Sequence, residues 1–479
     1  MALETVELEK IDRPGTASGR TTEAPKRPVT YLHIGGPKSG TTYLQSVLWN
    51  NRAALREDGV LYPGPHYLSH THAVLDLQRT RFSGYDDPAV PGAWDRLVDE
   101  VRAWNDTAII SQELFSPARP DAIECAMASL GFSEVHIVYT TRDLVRQVPA
   151  AWQEDIKNRH ALTFEEFMAA LRAPAEERHF LGHGFWSMQD AADVLERWGA
   201  DLKPTRVHLI TIPRGQARGS LLWDRFCGVT GMTPDRYDIS GATANTSLGV
   251  DEANLLRRLN LSLGDDVRWP LYNGCVTGLL GVDLLPGRPE RRPIVLTGPD
   301  REWMRDQCIR IVDTLRQREY DVVGDLDDLV PPATPDRPAG TEVDGHEAPD
   351  VRPDDASETA MLDSAVASMA ALLGRLQNWR DEADHLQQAN AGLCAERDAL
   401  RTERDTLRAD RDALRATVEE QREILAKAAL KLFVRRLSEK NRAVMRARIV
   451  YWNIVEGLRR LRRRVNPDRR PADTGRSRT

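Results

Sequence analysis

Cysteine is scarce in this chain of 479 residues, and its placement excludes several architectures. The five cysteines lie far apart and none belongs to a C-x-x-C pair: they are Cys125, Cys227, Cys275, Cys308 and Cys394. An odd, scattered set disfavours a disulfide framework and a cysteine-ligated zinc site. Such a set is typical of proteins in a reducing compartment. We therefore expect free thiols and a cytoplasmic location.

Long apolar runs are also missing. No stretch of 18 apolar residues occurs, so the sequence predicts no membrane-spanning helix. The first ten residues are acidic and lack the apolar core of a secretory signal, so none is expected. A peripheral association of the chain with a membrane surface remains an open alternative.

Between residues 28 and 330, apolar β-branched runs alternate with amphipathic stretches. The runs Val29–Ile34, Thr107–Ser111, Val135–Thr140 and Val207–Ile212 predict strands, followed in turn by predicted helices Thr42–Asn51, Pro120–Leu130, Leu144–Lys157 and Ser220–Gly231. Short apolar strands joined by helices predict an α/β domain with a mostly parallel sheet flanked by helices. Residues 162–200 and 251–318 are expected to be largely helical. Residues 1–27, rich in Thr, Pro, Gly and charge, predict a disordered arm.

The composition changes after residue 330. Residues 331–360 hold six prolines and eight acidic against two basic residues, which predicts a solvated linker. Residues 361–428 then carry an unbroken seven-residue repeat: Leu372, Trp379, Leu386, Leu393, Leu400, Leu407 and Leu414. The second seam position includes Asn390, which can fix register, and three arginines that weaken the seam. The pattern favours a coiled coil and a parallel homodimer over a long charged helix that stays single or binds another partner.

The end of the chain is strongly basic. Residues 427–479 contain seventeen Lys and Arg against four acidic residues, a net charge of +13 in a chain whose total is −7. Apolar residues, among them Phe433 and Trp452, recur there at helical spacing, so residues 429–479 predict a basic amphipathic tail. Such a helix suits an anionic membrane surface, and it equally suits packing on a dimer mate with a solvated basic face. No nucleic-acid motif accompanies the charge, so nucleic acid is not an expected partner.

The strongest chemical signal is the turn that joins the first predicted strand to the first predicted helix. It reads Gly35-Gly36-Pro37-Lys38-Ser39-Gly40-Thr41-Thr42. Its glycines let backbone N–H groups approach an anion closely, and the helix N-terminus adds partial positive charge. Its lysine supplies a full positive charge, and its hydroxyls are hydrogen-bond donors. These features predict a phosphate-binding loop on a P-loop-type sheet.

The loop differs from that of nucleotide triphosphatases. In that motif Lys follows the last Gly directly and Ser or Thr then binds magnesium. Here Lys38 stands two residues before Gly40, and a threonine follows that glycine. None of the four predicted strands ends in a clear metal-binding Asp. We therefore expect no metal in the site, and a magnesium-dependent kinase is a disfavoured alternative.

The segment Pro37–Thr42, PKSGTT, resembles the 5′-phosphosulfate loop of the sulfotransferases that use PAPS (3′-phosphoadenosine 5′-phosphosulfate). The resemblance covers about 300 residues as a domain, through a short but specific motif. It implies that Lys38 contacts the 5′-phosphate and the bridging oxygen. It also implies that Ser39, Gly40, Thr41 and Thr42 hold the 5′-phosphate, with Gly36 and Pro37 completing the loop.

The second motif of that family is matched in part. There, a strand ends in Arg and a Ser follows eight residues later, and these two hold the 3′-phosphate. Arg142 ends the predicted strand here, but Ala150 stands where the Ser is expected. Either Gln147 or Gln153 substitutes, or Arg142 acts with other groups. The late R-x-G-x-x-G loop of the family has no clear copy, so the chain resembles divergent bacterial members.

Transfer of a sulfuryl group to a hydroxyl needs a general base. Glu113 follows the predicted strand Thr107–Ser111, at the carboxyl edge of the sheet where ligands bind in open α/β folds. Members of the family use a His or a Glu near that place. We expect Glu113 to be the base. The alternative is His70 or His72 of the cluster His66, His70 and His72, which is predicted to lie in a loop after the first helix. That cluster could also bind a metal, a reading we favour less.

The sequence thus predicts a sulfotransferase that moves a sulfuryl group from PAPS to an acceptor hydroxyl without a metal. The stalk and tail suggest a bulky or surface-bound acceptor such as a glycan or glycolipid. Two alternatives stay open: a non-catalytic coiled-coil binding protein with a relic of the fold, and the nucleotide kinase.

Overall fold

The computed structural model describes residues 27–80, 87–215, 220–241, 247–264, 267–287, 291–333, 342–343, 346–347 and 352–465. The arm expected at residues 1–27, apart from its last residue, lies outside the described residues. Residues 466–479 of the expected basic tail lie outside them as well.

A six-stranded sheet forms the centre of the first part of the chain. Its strands are Val29–His33 (β1), Val60–Leu61 (β2), Thr107–Ser111 (β3), Glu134–Thr141 (β4), Val207–Thr211 (β5) and Asp321–Val323 (β6). They lie in the order β2-β3-β1-β4-β5-β6, and every neighbouring pair is parallel. The last residue of β1, His33, pairs with Ser111, the last residue of β3, and with Val138 of β4. β1 and β3 therefore end together, and β4 continues to Thr141. The predicted mostly parallel α/β sheet is confirmed.

Helices connect these strands. The α-helices of this part are Thr41–Asn50 (α1), Arg52–Glu57 (α2), Ser69–Gln78 (α3), Ala93–Trp104 (α4), Pro120–Ser129 (α5), Leu144–Lys157 (α6), Phe164–Arg172 (α7), Phe180–Gln189 (α8), Ala191–Gly199 (α9), Leu221–Thr230 (α10), Val250–Ser262 (α11), Trp269–Tyr272 (α12) and Gly298–Arg316 (α13). Short 3₁₀ turns include Glu113–Phe115 directly after β3, and a π-helical segment spans Asn273–Leu284.

Side chains alternate between two cores along each strand, because successive residues of a strand point to opposite faces. On β3, Ile110 belongs to a large core with α4, α5, α6, α9 and α13, whereas Ile109 belongs to a smaller core with α1 and α10. On β5, Leu209 and Ile210 divide in the same way. The sheet is therefore covered on both faces, which agrees with its buried, β-branched strands.

Two strands of the six-stranded sheet were not predicted. β2 has two residues and β6 has three, too short for the apolar periodicity that identifies a strand. The predicted helical stretch 251–318 is interrupted by the π-helical segment and by the 3₁₀ turn Leu285–Gly287. Elsewhere the predicted strands and their following helices agree with the structure to within about two residues at each end, the usual scatter of such boundaries.

The chain divides into two compact units, with the boundary after Arg375. Within the segment expected to be a linker, Glu342–Val343 (β7) pairs antiparallel with His346–Glu347 (β8). Two long helices follow, Glu358–Lys440 (α14) and Arg442–Val465 (α15). The five heptad leucines from Leu386 to Leu414 are 57–67% exposed in the single chain, whereas Leu372 is partly buried. The pairing of α14 in a coiled coil stays a prediction. Among the described helices, none combines the length and apolarity that crossing a membrane requires.

Candidate functional site

The loop between β1 and α1 is tightly anchored to the sheet. Gly36 N donates to Thr140 O at 3.0 Å, and a Cβ on this glycine would lie 2.8 Å from the same oxygen. The Ser39 hydroxyl, which is buried, lies 2.7 Å from Thr140 O and 2.8 Å from the Thr140 hydroxyl. Gly40 has φ +84°, a left-handed conformation that favours glycine, and is the N-cap of α1. Hydrogen bonds to Thr140 of β4 therefore fix the shape of the loop.

Lys38 adopts a left-handed backbone conformation, with φ +64°. A non-glycine residue in that region costs about 1–3 kcal/mol and persists only where its surroundings hold it there. The first N–H groups of α1, at Thr41 and Thr42, lack partners within the helix by geometry, and no acidic side chain lies in this first turn. The loop thus combines a strained lysine with a helix N-terminus, an arrangement that favours a bound anion.

The ammonium group of Lys38 is engaged by a carboxylate of α6. Lys38 Nζ lies 2.6 Å from Glu154 Oε2, and Lys157 Nζ lies 2.8 Å from the same oxygen. Burial alone would raise the pKa of Glu154, but Lys38 and Lys157 together lower it to about 2. Burial lowers the pKa of Lys157 against the opposing effect of Glu154. Burial, and then the charge of Glu154, raise the pKa of the neighbouring Asp155 to about 7.

Arg142 directly follows β4 and is linked to the loop through one glutamine. Its Nε donates to Gln147 Oε1, while Gln147 Nε2 donates to Pro37 O at 2.5 Å. Gln189 Nε2 donates to the same carbonyl oxygen at 3.0 Å. Burial, and then the charge of Arg146, lower the pKa of Arg142 to about 10. The loop of β1 and the arginine of β4 therefore form one hydrogen-bonded unit.

This geometry separates the two glutamines that could replace the missing serine. Gln147 is fully buried and contacts Arg142 directly, whereas Gln153 Oε1 accepts from Leu248 N at 2.8 Å. Gln147 is thus the glutamine placed beside the arginine. Ala150 adds no polar group there.

Further arginines lie near Arg142. Asp143 caps α6 and accepts from both Arg146 and Arg214, the latter just beyond β5. No motif in the sequence singles out these two arginines or Glu154. The pairing of Glu154 with Lys38 joins residues 116 positions apart, so no local pattern reveals it.

Glu113 lies beside the loop, as its position at the end of β3 suggested. Its Oε2 accepts from Gln45 Nε2 of α1 at 2.8 Å. A Cβ on Gly35 would lie 2.9 Å from Glu113 Cβ, so this residue packs directly against the loop. Burial raises the pKa of Tyr67, and the charge of Glu113 adds to that rise.

The histidines lie elsewhere than expected. His70 and His72 belong to α3, where a loop was predicted. Ser111 N donates to His70 Nδ1 at 3.1 Å and the other ring nitrogen lies 2.9 Å from Pro63 O, while burial lowers the pKa of His70 to about 4. His72 is also buried, with its Nε2 3.6 Å from Asp87 Oδ2. Both rings are therefore engaged by neighbouring parts of the fold. In the part of the chain that the structure describes, no three His, Cys, Asp or Glu side chains cluster as metal ligands would.

Comparison with known proteins gives a distant likeness. No protein-family model and no curated protein matches the chain. Among solved structures, the crystal structure of a sulfotransferase from Alicyclobacillus acidocaldarius is similar at a TM-score of 0.32 and 20% identity. The match covers 46% of this chain and 87% of that one. At this identity the likeness is one of fold only, and it assigns no role to any residue of the site.

Proposed function

We propose that the chain is a PAPS-dependent sulfotransferase, which releases adenosine 3′,5′-bisphosphate as its co-product. One observation carries the proposal: Gln147 joins the Arg142 guanidinium to the carbonyl of Pro37. Two cationic groups, one in the Lys38 loop and one at the end of β4, are thereby held together on neighbouring strands. A ligand with an anionic group at each end of a nucleoside fits this arrangement.

In this proposal each loop residue has a definite task. Lys38 and the backbone N–H groups that open α1, at Thr41 and Thr42, bind the 5′-phosphosulfate. Arg142 binds the 3′-phosphate. Ser39, whose hydroxyl contacts Thr140, keeps the loop in shape, and Gly36 lets the loop lie against β4.

The reaction is an in-line displacement at sulfur. The acceptor oxygen forms a bond to sulfur while the bond from sulfur to the phosphate oxygen breaks, and that oxygen keeps the electron pair. Lys38 neutralises the charge that develops on it, so protein side chains supply the positive charge and no metal is invoked. Glu113, beside the loop, takes the proton of the acceptor hydroxyl.

We propose a glycan or glycolipid as the acceptor class. Burial, and then the charge of Glu113, raise the pKa of Tyr67, so this ring lies within electrostatic range of the proposed base. The Tyr67 side chain is 45% exposed and lies edge-on to Trp49. An exposed aromatic ring in this region suits the apolar face of a sugar ring.

Transfer of labelled sulfate from PAPS into cell extracts tests the function. We expect labelling by the wild-type chain, most of it in the glycan or lipid fraction, and its loss in Lys38→Ala. Lys203→Ala is the matched control, because the Lys203 side chain is exposed. Lys203 precedes the 3₁₀ turn Pro204–Arg206, and its side chain makes no capping hydrogen bond there. Equal labelling by wild type and Lys38→Ala would refute the proposed activity.

A non-catalytic binding protein with a relic fold is the second candidate. The absent serine at Ala150 and the carboxylate of Glu154 on Lys38 favour it. Calorimetric titration with adenosine 3′,5′-bisphosphate separates the two, since a relic would not bind it. Magnesium-dependent turnover of ATP would instead reveal the kinase.

We further propose that α14 forms a parallel homodimer. Between its heptad leucines, acidic residues at one flank alternate with basic residues at the other: Glu396, Glu403 and Asp410 against Arg401, Arg408 and Arg415. In a parallel pair, each acidic residue faces the basic residue five positions later on the second copy, whereas an antiparallel pair opposes like charges. Sedimentation equilibrium of the full chain should give a dimer, which Leu400→Asp with Leu407→Asp converts to a monomer. A monomeric wild-type chain would overturn the proposal.

A further inference from the structure

The carboxylate of Glu154 connects two ammonium groups at a single oxygen atom. Lys38 Nζ and Lys157 Nζ lie 2.6 and 2.8 Å from Oε2. The Lys157 side chain is only 9% exposed, so its charged end is held inside the protein at the loop. A lysine is rarely buried without an anionic partner.

Lys157 is held in this place by the segment that covers it. It is the last residue of α6, and Thr277 Oγ1 donates to its carbonyl oxygen at 2.7 Å. A Cβ on Gly281 would lie 3.0 Å from Lys157 Cδ and Cγ, so the π-helical segment Asn273–Leu284 lies close over the stem. π-Helical turns occur frequently at functional sites. The ammonium group therefore has little freedom other than toward Glu154 and Lys38.

We propose that Lys157 binds the sulfuryl group of the donor, and that Glu154 occupies the place of a sulfuryl oxygen until the donor enters. This inference rests on the proposed function. Lys38 contacts the bridging oxygen. The sulfuryl oxygens lie two bonds beyond that oxygen, on the sulfur, where a second cation would neutralise their charge. As the sulfur passes to the acceptor oxygen, the phosphate oxygen keeps the electron pair beside Lys38, and the sulfuryl oxygens stay on Lys157.

Two ligands test this assignment, because PAPS and adenosine 3′,5′-bisphosphate differ only in the sulfuryl group. Affinities for both are measured by calorimetry with the full chain. Lys157→Met should weaken the binding of PAPS about tenfold or more and change the affinity for bisphosphate by no more than about twofold. Lys157→Arg should restore part of the lost affinity for PAPS. If Lys157 only supports the fold, its replacement would weaken the binding of both ligands alike, and that result would overturn the inference. If the wild-type chain binds neither ligand, the proposed function itself fails and the inference falls with it.

A second inference comes from the hairpin of α14 and α15, independently of the site above. The turn is closed by Asn441 Oδ1, which accepts from Ala443 N at 3.0 Å, and by Arg448, which donates to Ser438 Oγ at 2.9 Å. Between the helices lies an open cleft of about 750 Å³. Apolar and basic side chains line it together, among them Leu430, Val434, Trp452, Lys431, Arg435 and Arg459.

We infer that this hairpin docks on an anionic phospholipid surface. Large apolar side chains stay exposed on both helices, with Phe433 at 63% and Ile449 at 55%. Residues 427–479 carry a net charge of +13, which attracts anionic head groups. Basic side chains beside exposed apolar and aromatic ones are what an interfacial helix needs, with the apolar part entering the head-group boundary.

Co-sedimentation of the full chain with vesicles tests this docking. Vesicles containing phosphatidylglycerol should bind the chain at least tenfold better than pure phosphatidylcholine, and 0.5 M salt should release it. Lys431→Glu with Arg435→Glu should abolish binding, whereas Lys203→Glu should not. Equal partition into both vesicle types, no binding at low salt, or a double variant that binds like wild type would each overturn the inference.

Discussion

Replacing Glu154 by glutamine should strengthen the binding of adenosine 3′,5′-bisphosphate. The 5′-phosphate must compete for the ammonium group of Lys38 with Glu154, whose Oε2 lies 2.6 Å from Lys38 Nζ. A charge-assisted hydrogen bond contributes about 1.5–3 kcal/mol, and because 39% of the carboxylate side chain is exposed we reduce this to about 1–2 kcal/mol. That corresponds to roughly 5- to 30-fold tighter binding.

Calorimetric titration at pH 7 measures this change. The pKa of Glu154, about 2, keeps the carboxylate ionised there, so the wild-type competitor is fully charged. Glu196→Gln is the matched control. Glu196 lies on α9, outside the loop, and also forms an ion pair, with Arg318 at 2.9 Å. Equal or weaker binding by Glu154→Gln would refute the reasoning that this carboxylate competes with the ligand.

Three further variants probe the same site. Gln147→Leu removes the bridge between Arg142 and the loop and should weaken bisphosphate binding about tenfold by calorimetry, and an unchanged affinity would contradict that role. Glu113→Gln should lower the transfer rate about 10²- to 10⁴-fold with bisphosphate affinity unchanged, and a wild-type rate would exclude it as the base. Asp155, whose pKa burial and then Glu154 raise to about 7, keeps a proton in the folded chain that the unfolded chain loses near pH 4. Stability should therefore fall as the pH rises from about 4 to 7, and urea unfolding of Asp155→Asn should show a flatter pH profile; parallel profiles would contradict this.

The central architecture could be predicted because it depends on local pattern. β3 and α6 have the predicted bounds, since apolar β-branched runs and helical periodicity are strong signals over five residues or more. β2 and β6 were missed because two or three residues carry no periodicity. The loop was predictable for the same local reason, since its glycines, lysine and threonines are contiguous.

The contacts that complete the site are not local. Glu154 meets Lys38 because α6 follows β4, which neighbours β1 in the sheet, and only the strand order brings them together. The sequence also could not tell whether Gln147 or Gln153 lies beside Arg142, because that depends on the direction in which each side chain leaves α6. His70 was misplaced because its hydrogen bonds to Ser111 and Pro63 come from other parts of the chain.

The central claim is that Lys38 and the start of α1 hold the 5′-phosphate of the donor nucleotide. A crystal structure of the chain with adenosine 3′,5′-bisphosphate measures this directly. We predict a 5′-phosphate oxygen within about 3 Å of Lys38 Nζ, with Glu154 withdrawn from that ammonium and the 3′-phosphate on Arg142. A bound bisphosphate whose phosphates lie elsewhere, with Lys38 still paired to Glu154, would contradict it.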